Sequence, residues 1–202
     1  MAEYILVPVL TDLQRDYLDR RIELVVDYAL TDIVAERFDA GVRVGEQVAK
    51  DMIAVRIGAN LRMAVVGSPQ YFEHHKLLRR PQDLTLHNCI GLRNPARGGV
   101  YPWDFEMRGR VVKVKIAGNW RVNTLVLRMG CALNGSGLAY VTEDQVASDI
   151  ASGRLVRVLE DWCAPFPGYH LYYASRKLQS PAFALVVKAL RDRVAQRSQG
   201  AC

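Results

Sequence analysis

Ile22-Glu23-Leu24-Val25-Val26-Asp27-Tyr28, then Thr31 to Phe38, then Ala40-Gly41-Val42-Arg43-Val44-Gly45 follow one another within 24 residues. The first run is rich in β-branched residues. Thr31 is placed to cap a short helix, with Asp32 in its first turn. The third run reads as a strand ending at glycine. Strand, helix and strand at this spacing predict a βαβ unit and hence a parallel sheet. Upstream, Ile5, Leu6, Val9, Leu10, Leu13, Tyr17 and Leu18 recur at three- and four-residue spacing, which predicts an amphipathic helix over 4–18. Pro8 falls near its first turn, where a helix tolerates it.

Downstream the alternation begins again. Met63-Ala64-Val65-Val66-Gly67-Ser68 reads as a strand, with Pro69 at a first helical position and Ser68 as the cap. A short helix follows Pro81, and Cys89 to Leu92 is a short strand. Asn94 to Val100, with Pro95, Gly98 and Gly99, is a loop. Trp103, Phe105 and Met107, then Val112, Val114 and Ile116, alternate with polar residues around Arg108-Gly109-Arg110. That pattern is an antiparallel hairpin with one buried face. Residues 123–134 read as a helix capped by Asn123 or Thr124 and ended by Gly135 and Gly137. Leu138 to Val141 is a strand, 143–151 a helix and Leu155 to Leu159 a strand. A connection with Pro165 and Pro167 leads to a strand from His170 to Ala174. Ser180-Pro181 opens a last helix with the apolar stripe Phe183, Val186, Val187, Leu190 and Val194.

A middle block bracketed by two halves of another unit predicts two lobes joined by two hinges, near Asn60–Met63 and Trp162–Gly168. The expected division is 1–61 with 164–202 as lobe I and 62–163 as lobe II. The expected fold class is α/β, two Rossmann-like lobes with a cleft, where ligands sit at strand ends beside helix N-termini.

Composition narrows the function. The 202 residues are 50% hydrophobic and 24% charged, as in a globular chain. No apolar run reaches the roughly 18 residues of a membrane helix, and the N-terminus lacks a signal-peptide pattern. A cytoplasmic location is expected. Cys89, Cys131, Cys163 and Cys202 are widely spaced, which suits free thiols rather than a disulfide framework or a zinc site. The net charge of +6 first suggests nucleic acid. Its distribution argues otherwise: residues 1–62 carry −3, 63–163 carry +4 and 164–202 carry +5. The tail excess comes from Arg176, Lys177, Lys188, Arg191, Arg193 and Arg197, with no aromatic interleaving of the kind a single-strand binder uses.

No phosphate loop, dinucleotide fingerprint or nucleophile elbow is present; Gly135-Ser136-Gly137 closes a helix instead of opening one. His74, His75, His87 and His170 form no metal spacing. His74 and His75 read as surface residues, and His87 as a helix C-terminal group. No metal, cofactor or enzymatic chemistry is expected. What remains is a set of positions suited to a ligand. Ser68, Asn123 and Thr124 each follow a strand and offer a hydroxyl or amide beside helix N–H groups, which suits a carboxylate as well as plain capping. Arg43, Val44 and Gly45 end a third strand; Arg43 can equally lie on the surface or pair with an acid. Trp103 is either core or a stacking platform.

Several runs carry a resemblance. Asp32-Ile33-Val34-Ala35-Glu36-Arg37-Phe38-Asp39-Ala40-Gly41-Val42-Arg43-Val44-Gly45 resembles a signature of the LysR-type transcriptional regulators. So do Met63 to Phe72 with its Ser-Pro-x-Tyr, Pro81-Gln82-Asp83-Leu84 with His87-Asn88-Cys89-Ile90, and Asn123 to Val141 ending in Gly135-Ser136-Gly137-Leu138-Ala139. Gly153 to Leu159 is similar to the tail of that lobe. The resemblance runs in order over about residues 4–195. It implies an effector-binding (substrate-binding) domain with a type 2 periplasmic-binding-protein-like fold, clasping a small molecule, often a carboxylate or aromatic acid. By position it implies cleft residues at Ser68, Asn123, Thr124 and the Arg43–Gly45 loop. It also implies a side-by-side homodimer or higher oligomer, with Ile5, Val9, Leu13 and Leu24 in the interface. The family's N-terminal helix-turn-helix and first strand are not in this sequence, so DNA is expected to be read only through a module absent here. Val141-Thr142 stands where the family prefers a proline. A stand-alone solute-binding protein, or a truncated dimerisation partner of full-length regulators, are the alternatives.

Overall fold

A computed structural model describes residues 5–17, 21–27, 32–45, 52–93, 98–174 and 180–199. The chain divides into two units, Met1–Asn60 with Phe166–Cys202, and Leu61–Pro165.

The first unit holds α1 (Val7–Asp16), β1 (Gly41–Val44), β2 (Met52–Arg56), β10 (Tyr169–Ala174) and α5 (Pro181–Gln199). Its sheet has the order β1-β10-β2, and both pairings are antiparallel. The expected parallel βαβ unit does not form among the described residues. Arg21–Asp27 lies outside any ladder, and every residue of it is exposed. A β-rich run is a strand only when a neighbour accepts its hydrogen bonds. Residues 33–37 make a single turn rather than a helix. The Asp32 carboxylate accepts from the N–H groups of Val34 and Ala35, at 2.9 and 3.1 Å, so Asp32 is the cap; Thr31 and Tyr28 lie outside the described residues. Arg37, at φ 61°, breaks the turn. β2 carries no marked alternation in the sequence and is found only in the structure. α1 and α5 pack on this sheet's unit through Ile5, Val9, Leu10, Val187 and Leu190, all buried. Ile5 and Val9, expected in a dimer interface, are buried in their own chain's core. Leu13 is half-buried and Leu24 exposed.

The second unit follows the sequence closely. β3 (Met63–Gly67) lies between β8 (Ala139–Thr142) and β9 (Val156–Val158), antiparallel to both. β4 (Gly91–Leu92) pairs in parallel with β7 (Arg121–Val122), and an isolated parallel bridge, Cys89–Leu138, links the residues just before β4 and β8. Period-two alternation sorts the side chains to two faces. Val65, Leu138 and Val158 meet Trp103, Phe105 and Val114 of the hairpin β5 (Trp103–Met107) and β6 (Arg110–Val114). Ala64, Val66, Ala139 and Val141 meet α3 (Leu125–Leu133) and α4 (Ala147–Ala151) through Ala132, Leu125, Met129 and Ile150. The hairpin turns at Arg108 and Gly109, φ 51° and 76°, the pair of positive angles a two-residue turn of matching twist requires. Trp103 is thus core: its ring stacks on Tyr140 at 5.1 Å. No helix among the described residues is long and apolar enough to cross a membrane. Cys89 and Cys163 are buried free thiols and Cys131 is half-buried; burial pushes the Cys89 thiol up to about 12 and Cys163 to about 11.

Candidate ligand-binding site

Thr124 follows the short β7 strand by two residues and caps α3. Its backbone is extended (φ −128°, ψ 154°) and its hydroxyl accepts from the Leu127 N–H at 3.3 Å. An α-helix leaves four first-turn N–H groups without intrahelical acceptors, and one hydroxyl satisfies only one of them. Asn123 beside it is exposed, as are Val126 and Leu127. Because β4 and β7 run in parallel, Arg93 arrives at the same end; its main-chain N–H donates to the Val122 carbonyl at 2.8 Å. Arg128, one turn into α3, is buried, and its guanidinium donates to the Tyr140 carbonyl at 2.8 Å. Thr142 closes β8 at this end, opposite Met63, and its hydroxyl is buried without a hydrogen-bond partner. The site is a helix N-terminus with amide and hydroxyl groups, and the buried Arg128 guanidinium lies one turn into the same helix: a place for negative charge.

Ser68 is not part of it. β3 runs antiparallel to β8, so the end of β3 lies at the other end of the sheet, near Gly135 and Gly137. Those glycines follow the C-terminus of α3, whose nine residues put about 13 Å between its ends. Ser68 is 3% exposed, and its hydroxyl accepts from the Tyr71 N–H at 3.2 Å. It caps α2 (Pro69–Glu73). The expectation that grouped Ser68 with Asn123 and Thr124 rested on their shared place after a strand, which says nothing about strand direction.

In the first unit, Arg43 is half-buried and holds its guanidinium 4.9 Å from the centre of the Tyr172 ring, a cation–π contact. It is opposite the buried His170 in the ladder. Val44 is exposed, and the Gly45 N–H donates to the Gly168 carbonyl at 3.0 Å. Sequence reading singled out this loop but missed Arg93, Arg128 and Thr142. Parallel pairing of β4 with β7 was the only signal for Arg93, and it is not visible in a two-residue strand.

At the start of the second unit, Arg62 donates to the Cys163 and Glu160 carbonyls, at 3.0 and 3.1 Å. Arg157 pairs with Glu143 at 2.5 Å and Glu160 at 3.4 Å, and donates to the Met63 carbonyl at 3.2 Å. The first and last residues of this unit are thereby tied to each other, next to the points where the chain enters and leaves it. Among the described residues no group of three or more His, Cys, Asp or Glu is placed to hold a metal ion.

Two α/β units connected by two passages of the chain, with a helix N-terminus presented at a sheet end, define a type 2 periplasmic-binding-protein-like ligand-binding domain. The chain matches the LysR substrate binding domain over residues 1–195, and it belongs to that family. A Pseudomonas aeruginosa protein assigned to transcriptional regulation is 50% identical over 93% of this chain and 61% of its own length. The HTH-type transcriptional regulator PgrR of Escherichia coli is 41% identical over 94% of this chain and 64% of its own. The chain therefore spans about three fifths of these relatives. The regulatory domain of AphB from Vibrio vulnificus superposes with a TM-score of 0.79 at 23% identity, covering 95% of this chain and 93% of that one. The CrgA regulatory domain of Neisseria meningitidis gives 0.75 at 21%, covering 96% and 94%. The fold is that of these regulatory domains, and the relatives are regulators rather than enzymes.

Proposed function

We propose that this chain is the effector-sensing part of a transcriptional regulator, and that its effector is a small carboxylate held by Asn123 and Thr124 at the start of α3 in the second unit. The observation that carries this reading is the Thr124-capped start of α3, with exposed Asn123 and the Arg93 end of β4 beside it. Each supplies donors or positive charge and none supplies a carboxylate, so the site selects an anion.

A thermal-shift screen against small organic acids tests the class, since a ligand that binds only the folded state raises its melting temperature. With a hit in hand, Thr124→Ala is expected to weaken binding by about 1 kcal/mol, roughly fivefold. Affinity unchanged by calorimetry would return Thr124 to capping alone. A neutral amide analogue of the same ligand is expected to bind least.

Self-association is the second part of the proposal. Ile22, Leu24, Val25 and Val26 are all exposed, with Val26 at 70%, and together form an apolar run unusual for a surface. A second copy covering this run removes it from water. The double substitution Leu24→Asp and Val26→Asp is expected to shift the chain to monomer in analytical ultracentrifugation. An unaltered assembly would exclude this run from the interface. Such a domain acts on DNA through a reader outside this sequence, so the chain alone is expected to show no sequence-specific binding at physiological salt.

A further inference from the structure

At the end of the second unit away from Thr124, Tyr71 is buried between two histidines. Its ring lies flat against His75, with centroids 4.1 Å apart and planes 5° from parallel. His75 Nδ1 is 2.8 Å from the Tyr71 carbonyl; a carbonyl only accepts, so Nδ1 carries the hydrogen. The Tyr71 hydroxyl accepts from the Asn88 N–H at 3.1 Å and lies 3.0 Å from His87 Nδ1. By donating to His87 Nδ1 the hydroxyl gives its own hydrogen an acceptor, the arrangement in which Asn88, Tyr71 and His87 are all satisfied. That requires His87 to be neutral, with its own hydrogen on Nε2.

Asn88 is where this chain of bonds ends and where the unit is stitched together. Its side-chain oxygen accepts from the Asn119 N–H at 2.8 Å, its side-chain nitrogen donates to the Ser136 carbonyl, and its main-chain oxygen accepts from the Leu138 N–H at 2.8 Å. The starts of β4, β7 and β8 meet on this one residue.

We propose that His75, Tyr71 and His87 form a proton-operated latch that holds α2 and the turn Pro81–Leu86 against Asn88 when His87 is neutral and releases them when it is protonated. A protonated His87 donates from both nitrogens and can no longer take the Tyr71 hydrogen. Its charge also arises 5.8 Å from the His75 ring, in a half-buried place. The facing groups can be named. From α2 comes Tyr71, and from the residues just after it come His74 and His75, both exposed. From the Pro81–Leu86 turn comes Asp83, which attracts the proton but is bound to Arg80 at 3.0 Å and to the N–H groups of Arg79 and Arg80. From the following strand comes Cys89, a neutral thiol. Burial first, and then His75, hold His87 below the ordinary imidazole value, with Asp83 opposing. The unfolded chain therefore takes up this proton first as pH falls. The latch's contribution to stability is whole above about pH 6.5 and is lost as pH drops toward the folded value.

Imidazole NMR of the whole chain tests this without any substitution. The His87 signal is expected to titrate with a midpoint below about 6.5, and the Asn88 amide signal to move with the same midpoint. A His87 midpoint at or above the ordinary value, or an Asn88 signal indifferent to it, overturns the latch. His87→Gln supplies the second measurement, because a carboxamide oxygen accepts from Tyr71 at every pH. Between about pH 7.5 and about pH 5 its melting temperature is expected to fall less than half as far as that of the unsubstituted chain. An equal fall in both chains overturns the proposal, and if the variant does not fold, the NMR titration decides alone.

Discussion

Gly137→Ala is expected to destabilise the second unit by about 3–5 kcal/mol, from backbone strain plus overpacking. Gly137 has φ 150°, a conformation side chains other than glycine's rarely adopt, and a Cβ built there runs into the Asn88 carbonyl oxygen. That oxygen cannot yield, because it accepts from the Leu138 N–H and belongs to the residue on which β4, β7 and β8 converge. Urea denaturation followed by Trp103 and Trp120 fluorescence measures the loss. A variant within about 1 kcal/mol of the parent would show that the turn after α3 can rebuild itself, which a close-packed interior does not readily allow.

Arg157→Met is expected to cost about 2–3 kcal/mol. Methionine keeps the aliphatic volume, so the loss is that of the charge and its bonds. The Arg157 side chain is 10% exposed, whereas Glu143 and Glu160 are 38% and 58% exposed. Truncating a fully buried pair costs roughly 3–5 kcal/mol, because the remaining charge is stranded. Here both carboxylates can turn to water, which lowers the figure. What stays stranded is the Met63 carbonyl, which loses its guanidinium donor. The control is Glu160→Gln, expected to cost under about 1 kcal/mol because that partner is exposed. Equal effects for the two substitutions would mean that Arg157 contributes only as a surface ion pair. Its place beside the passages at Leu61 and Pro165 adds a functional expectation: Arg157→Met should loosen the unit where the chain enters and leaves it, raising amide exchange at Met63 and Cys163 above that at Val65.

The second unit was legible because its strands alternate cleanly and its turns carry strong chemistry. Val112 and Val114 around Arg108-Gly109, and the glycines after α3, each fix a local conformation that the tertiary fold then uses unchanged. The first unit was misread where local preference had no partner to act on. Ile22 to Val26 has every residue type a strand wants, yet lies exposed outside any ladder, and Asp32 rather than Thr31 caps a single turn that Arg37 ends. Met52–Arg56 has a full set of partners in β10 and little signature of its own.

The charge of the candidate site divides in the same way. That a helix starts here is a local matter legible in the sequence, which left Asn123 and Thr124 as candidate caps; the bond from the Leu127 N–H to the Thr124 hydroxyl chooses between them. That Arg93 joins Thr124 while Ser68 stands at the far end of α3 depends on which strands run parallel. Strand direction is set by pairing between residues far apart in the chain, and no spacing within a motif encodes it. The sequence by itself determined the family, most elements of the second unit and the Ser68 cap of α2. Only the tertiary structure decided which caps share an end of the sheet, and that Tyr71, sixteen residues before His87, places its hydroxyl on that imidazole.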